Sequence, residues 1–173
     1  MEKEFEYRFD SYCGIHCGSC FVLRSYKDTR EILLIDPWSE WLKRMTLQCH
    51  GCKSDDVFEN CKGCPRRPCA QEKGYEYCIE CPEYPCDIYK EASDKYKFAH
   101  HEVAQVRMKI LKSQGLESWL KYQKERFSCP NCGEIFTWYE KTCWKCGEPV
   151  LDSITEYKQM INKKKSGEID EKN

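Results

Sequence analysis

A small α+β fold, held together at clustered cysteines in place of an aliphatic interior, is what this sequence predicts. Three observations predict it. The chain of 173 residues carries 15 cysteines, twelve of them in six C-x-x-C pairs. Leu, Ile, Val and Phe together number only 31, too few for an ordinary core of this size, although five Trp, eleven Tyr and seven Phe argue that the chain does fold. Two C-x-x-C-G turns near the C-terminus stand at the spacing at which four thiolates converge on one ion. The fold class is therefore a small metal-stabilised α+β: a helix-containing cysteine-rich domain over residues 1–87, a helical hairpin or connector over 88–126, a zinc ribbon of short β-hairpins over 127–150, and a charged tail over 151–173 expected to be disordered. Metal can supply what the core lacks. A structural zinc contributes about 10–16 kcal/mol of folding free energy in small peptides, comparable with the ~5–15 kcal/mol stability of a whole domain.

The net charge is −1, which gives no bulk electrostatic drive towards nucleic acid or a membrane surface. The N-terminus, MEKEFEYRFD, has no apolar signal region. No stretch approaches the ~18 apolar residues of a membrane span. These features predict a soluble, cytoplasmic protein, and in that reducing compartment cysteines serve as ligands rather than disulfides.

Taken in order, Phe5, Tyr7 and Phe9 alternate with charged residues and predict a short strand packed on the cysteine-rich domain. YCGIHCGSC follows, with Cys13, Cys17 and Cys20 spaced C-x3-C-x2-C. Radical S-adenosylmethionine enzymes use that spacing to hold a [4Fe–4S] cluster. Here Ser19 stands where those enzymes usually have an aromatic residue, and no strand–helix alternation follows. A three-cysteine site completed by a fourth ligand fits better, the candidates being Cys86, another late cysteine, His16 or His50. Residues 21–47 read as two helical pieces. Asp36-Pro37 forms a start signal, and Trp38, Trp41, Leu42 and Met45 share one face.

The stretch from Cys49 to Cys86 holds eight cysteines. Cys49, Cys52, Cys61 and Cys64 make one candidate four-thiolate site. Cys69, Cys78, Cys81 and Cys86 make a second. Eleven cysteines precede residue 90, one short of three complete sites, so one site is completed by another residue type or is open. Connectivity is not fixed by spacing, because ligand pairs can interleave, and both zinc and [4Fe–4S] suit these turns.

Residues 88–113 predict a helix whose stripe is Tyr89, Ala92, Tyr96, Ala99, Val103, Val106 and Ile110. His100 and His101 sit within it, more naturally solvated or partly packed than ligating. Gly115 interrupts the pattern, and Leu116, Trp119, Leu120 and Gln123 begin a second helix folded back on the first. CPNCGEIFTWYEKTCWKCG then places Cys129, Cys132, Cys143 and Cys146 as a zinc ribbon, with Ile135, Phe136, Trp138 and Tyr139 in the hairpin between the knuckles. The end, KKKSGEIDEKN, reads as a solvated tail.

The runs YCGIHCGSC, CHGC, CKGCPRRPCAQEKGYEYCIECPEYPC, ERFSCPNCG and TCWKCG resemble a widespread family of small cysteine-rich bacterial and archaeal proteins catalogued as a domain of unknown function and frequent in anaerobes. The phrase from Cys69 to Cys86 is especially similar. The resemblance covers residues 12 to about 147. It implies metal binding by the cysteines and carries no established activity.

Three functions are compatible with these residues. A metal-binding adaptor or regulatory module would use zinc structurally and engage a protein partner, or RNA through exposed Trp38, Trp138 or Trp144 and the bases Lys62, Arg66, Arg67 and Lys73. An iron–sulfur protein, either electron carrier or accessory factor of anaerobic metabolism, would use the N-terminal thiols for clusters beside a structural ribbon. Enzymatic use of an open metal site or a reactive cysteine is the weakest of the three. No Ser/His/Asp set, paired-carboxylate motif or glycine-rich phosphate loop accompanies the thiols. The adaptor reading leads, with no catalytic residue assigned.

Overall fold

The computed structural model of the chain describes residues 6–28, 42–96 and 98–166. Phe5, Trp38, Trp41 and the Asp36-Pro37 start signal lie outside the described residues. Among the described residues six α-helices follow one another: α1 Phe21–Lys27, α2 Glu59–Lys62, α3 Arg66–Glu72, α4 Asp87–Tyr96, α5 Ala99–Arg126 and α6 Ser153–Lys165. One-turn 3-10 helices stand at Cys17–Ser19 and Cys78–Glu80.

The described residues contain no sheet, which corrects the α+β expectation. Two isolated antiparallel bridges, Ser128 with Ile135 and Thr142 with Pro149, mark the ribbon's knuckles. They do not extend into hairpin strands because the backbone between them bonds elsewhere. The Trp138 amide donates to the Ser19 carbonyl at 3.2 Å, and the Trp138 carbonyl accepts from the Ser153 amide at 2.7 Å. A ladder needs those same groups. The strand expected around Phe5–Phe9 is likewise absent over residues 6–9, where the Arg8 amide donates to the His50 carbonyl and the Phe9 carbonyl accepts from Cys17. Tyr7 and Phe9 do pack on the cysteine-rich core.

That core is small. Val22 and Leu23 of α1 bury with Cys17, Leu42, Cys49 and Phe58, and Met45 packs alongside. A second cluster joins Tyr77 and Ile79 to Met108, Leu111 and Trp119 of α5. A third joins Phe127, Phe136, Trp138 and Tyr139 to Ile15, Cys20 and Phe21. The ribbon is thus docked against the N-terminal unit through its inter-knuckle aromatics.

The long helix predicted over 88–113 divides before Ala99, where Phe98 is extended (φ −83°, ψ 129°) and starts α5. This break resets the helical phase. The buried face of α5 begins His100, Val103, Ala104, Arg107, Met108 and Leu111, while Val106 of the predicted stripe is 44% exposed. Counting through the break carried the register one position off. Gly115, at φ 82° and ψ 175°, folds the helix back as a hairpin. Arg107 donates to Gln123 Oε1 at 3.2 Å, whereas 16 residues of straight helix would span about 24 Å.

The tail departs from expectation as well. Residues 153–165 are helical, because Asp152 caps α6 by accepting from the amides of Ile154 (2.9 Å) and Thr155 (3.1 Å). Glu156 then ties α6 down by pairing with buried Arg107 and, at 2.6 Å, with Arg126. Removing one partner of such a partly buried network strands the remaining charges. Glu156→Ala should therefore cost about 3 kcal/mol in urea unfolding, with loss of the helical signal from residues 153–165.

His100 occupies the first turn of α5. It stacks on Trp138 (4.0 Å between centroids, 12°) and bonds to the Tyr139 hydroxyl at 2.5 Å. Burial pushes its pKa well below 6.5, with His101 and Arg66 adding to the effect. The folded chain keeps His100 neutral, while the unfolded chain takes up a proton below about pH 6.5. Its contribution is therefore intact above that pH and is lost as pH falls below it, by about 1.4 kcal/mol per unit. Urea unfolding between about pH 7.5 and 5.5 should show a shallower loss for His100→Gln than for the natural chain.

Candidate metal centre

Two nearly equivalent turns build the C-terminal site. In the first, the Cys129 carbonyl accepts from the Gly133 amide at 2.9 Å, and the Cys129 amide donates to the Glu134 carbonyl at 2.8 Å. In the second, the Cys143 carbonyl accepts from Gly147 at 2.8 Å, and the Cys143 amide donates to Glu148 at 2.7 Å. Repeated C-x-x-C-G-E sequence has produced repeated geometry. The ligand atoms of Cys129, Cys132, Cys143 and Cys146 all lie within 4.8 Å of one another. Cys129 and Cys146 approach to 3.5 Å, and Cys132 and Cys143 to 3.6 Å. A tetrahedral ion with metal–sulfur bonds of about 2.3 Å sets its sulfurs about 3.8 Å apart, so these four thiols can hold one metal ion.

Their electrostatics suit a cation. The Glu148 amide is foremost in pulling the Cys146 thiol down to about 6. The Glu134 amide acts likewise on Cys132, but desolvation and hydrogen bonds with its three partner thiols hold that group at about 12. The Cys146 thiolate forms readily while Cys132 resists, a contrast that a bound cation relieves.

The eleven N-terminal cysteines are arranged differently. Among the described residues no second group of three or more ligand atoms comes as close together as the ribbon's four. The thiols form two adjoining neighbourhoods instead, with Cys52 where they meet, since Cys13 and Cys64 act on it. In one, burial pushes Cys17 up, and Cys52, Cys20 and Cys49 raise it further. Burial likewise takes Cys20 to about 12, opposed by the Leu23 and Val22 amides. Cys61 is exposed as a residue, yet desolvation and then Cys20, Cys49 and Cys52 raise its thiol, so its sulfur faces inward. In the other neighbourhood, burial takes Cys78 to about 12, with Cys13, Cys86 and Cys69 adding to the rise. Cys64 is raised by burial and then by Cys13. Cys81 lies near Lys73. The two sequence-adjacent quartets, Cys49/Cys52/Cys61/Cys64 and Cys69/Cys78/Cys81/Cys86, are thus spread rather than drawn in.

Sequence reasoning missed Arg66 as part of this second neighbourhood. Only 3% exposed, it donates to the Tyr89 carbonyl and to Ser93 Oγ, both at 2.5 Å, and its guanidinium lies 4.2 Å from the Tyr89 ring centroid. Cys13 and Cys64 are its nearest sulfur neighbours. The run CPRRPC, an arginine pair between ligands, was the available signal. The other bases of the supposed basic patch also have partners within the chain. Arg67 donates to the Ser54 carbonyl, Lys62 pairs with Glu59 and Lys73 pairs with Glu83.

The histidines considered as ligands are held elsewhere. His16 is buried, stacks with Phe127 and bonds to Ser19 Oγ at 2.9 Å. Burial lowers its pKa to about 3, with Arg107 and Arg24 contributing. His50 pairs with Asp56 at 2.9 Å. Of the tryptophans considered as exposed platforms, Trp138 is buried, and Trp144 is 42% exposed on the second knuckle.

Residues 9–91 match the family model described as "Protein of unknown function (DUF3795)", so the N-terminal cysteine-rich segment is similar to an uncharacterised family. The match ends within α4, before α5 and the ribbon. No curated protein and no solved structure matches the chain. No helix among the described residues is long and apolar enough to cross a membrane.

Proposed function

We propose that this protein is a zinc-binding adaptor whose ribbon holds one structural zinc and presents a recognition surface to a protein partner. The observation that carries the reading is the convergence of Cys129, Cys132, Cys143 and Cys146 within 4.8 Å. Four thiolates saturate zinc and leave no open coordination position, so the ion would hold shape rather than perform chemistry. Trp144, exposed beside this site, offers the aromatic anchor that interfaces favour. A protein partner is preferred to nucleic acid, because the bases of the candidate patch are engaged within the chain. Elemental analysis should find one zinc per chain that depends on the four ribbon cysteines, and Trp144→Ala should leave it bound. Zinc content unaffected by ribbon substitutions would defeat the proposal.

A second reading is favoured by the wider spacing of the N-terminal thiols. A four-iron cluster attaches each thiolate to a different iron and so accommodates sulfurs that a single ion would draw closer. In that reading the N-terminal segment carries an iron–sulfur centre beside the ribbon's zinc. Protein purified without oxygen would then be brown and contain iron and inorganic sulfide. Colourless protein with only zinc would exclude it.

A further inference from the structure

We infer that Cys17, Cys20, Cys49 and Cys52 form one metal site, assembled from two C-x-x-C turns far apart in sequence rather than from neighbours along the chain. The ligand would be one iron–sulfur cluster, because no three of these sulfurs come within the 4.8 Å of one another that a single ion requires. This goes beyond the ribbon reading and does not depend on it.

The backbone aligns the two turns. The Cys20 amide donates to the Cys17 carbonyl at 3.0 Å and closes the first turn. In the second, the Gly51 amide points at Cys49 Sγ from 3.4 Å. Two consecutive residues, Arg8 and Phe9, stitch these turns side by side. The Arg8 amide donates to the His50 carbonyl at 2.8 Å, and the Phe9 carbonyl accepts from Cys17 at 2.8 Å. Neighbouring residues of an extended segment are only about 3.4 Å apart, so the turns cannot be far from each other. Each turn carries a glycine against this stitch. A Cβ at Gly51 would lie 1.9 Å from the Arg8 carbonyl oxygen, and one at Gly18 would lie 3.2 Å from the Phe9 ring.

The four sulfurs also share one environment. Cys17 and Cys49 are buried in the core with Val22, Leu23, Leu42 and Phe58, and Cys20 and Cys52 pack against the same cluster. The Gly51 amide facing Cys49 Sγ is a donor of the kind that stabilises a bound thiolate. On loading, four metal–sulfur bonds form and four thiol protons leave to solvent. Cys61 lies beside the site, and Cys13 and Cys64 lie beside Cys52, but none of the three is on the Arg8–Phe9 stitch, so they are neighbours and not ligands.

The experiment counts zinc and iron per chain in anaerobically purified full-length protein. Cys17→Ser, Cys20→Ser, Cys49→Ser and Cys52→Ser should each lose the same centre, all the iron of one cluster. The Cys17→Ser/Cys49→Ser double variant should lose no more than either single one. Cys61→Ser and Cys64→Ser should keep that centre, and the ribbon's metal, counted through Cys143→Ser, should persist throughout. A measurement on the natural chain guards against variants that fail to fold. Progressive chelation followed by alkylation and mass spectrometry should make these four thiols reactive together. The inference falls if Cys61 and Cys64 become reactive in step with Cys49 and Cys52 while Cys17 and Cys20 do not. It falls equally if Cys61→Ser or Cys64→Ser loses the centre that Cys49→Ser loses, or if the natural chain holds no metal beyond the ribbon's.

Discussion

Cys143→Ser should release one metal equivalent and unfold the ribbon. Cys143 is 2% exposed, and its thiol lies 3.6 Å from Cys132, so a serine there removes a ligand from the inner side of the site. A structural zinc contributes about 10–16 kcal/mol in small peptides, more than two isolated backbone bridges could replace. The damage should stop at the knuckles. Phe136, Trp138 and Tyr139 are anchored in an aromatic cluster with Phe127, Ile15 and Phe21, and that contact does not need the ion. Elemental analysis together with amide exchange should show one metal lost, rapid exchange over the knuckles at residues 128–134 and 142–149, and continued protection at Trp138 and in α5. Unchanged metal content would show that the four thiols are not its ligands.

The second large effect is expected from Gly51→Ala. Gly51 sits at φ +114°, a conformation that side chains strain. The added methyl would also meet the Arg8 carbonyl oxygen at 1.9 Å, and a backbone atom cannot swing aside as a flexible side chain can. Strain and overlap together should cost about 3 kcal/mol or more, read as a fall in the urea midpoint. Because Arg8 holds the second turn beside the first, the variant should also lose metal from the N-terminal segment while keeping the ribbon's. Gly63→Ala is the control, since a Cβ there meets nothing within 4 Å. Equal stability of the two variants would mean that the Arg8–His50 contact does not hold the turns together.

Much of the ribbon was legible because its information is local. Two C-x-x-C-G-E turns specify their own hydrogen bonds, and repetition of the turn placed all four sulfurs without reference to the rest of the chain. The hairpin strands were not legible, since whether the segment between the knuckles pairs with itself or with Ser19 and Ser153 depends on what lies beside it. The helical hairpin was visible from Gly115. The face of α5 was not, because a break before Ala99 shifts the phase and because buried His100 and Arg107 read as surface residues until Tyr139, Gln123 and Glu156 are seen to satisfy them. The tail's charges suggested disorder, and the cap at Asp152 and the two arginines around Glu156 decided otherwise.

By itself the sequence determined that thiols would replace an aliphatic interior, where the closing turns lie, and that the last four cysteines would meet, all consequences of residue type at short spacing. Only the tertiary structure decided which of the first eleven cysteines are neighbours. Turns about thirty positions apart are joined through backbone hydrogen bonds of Arg8 and Phe9, and a long-range contact of that kind depends on the folding of the segments between, which no local spacing encodes.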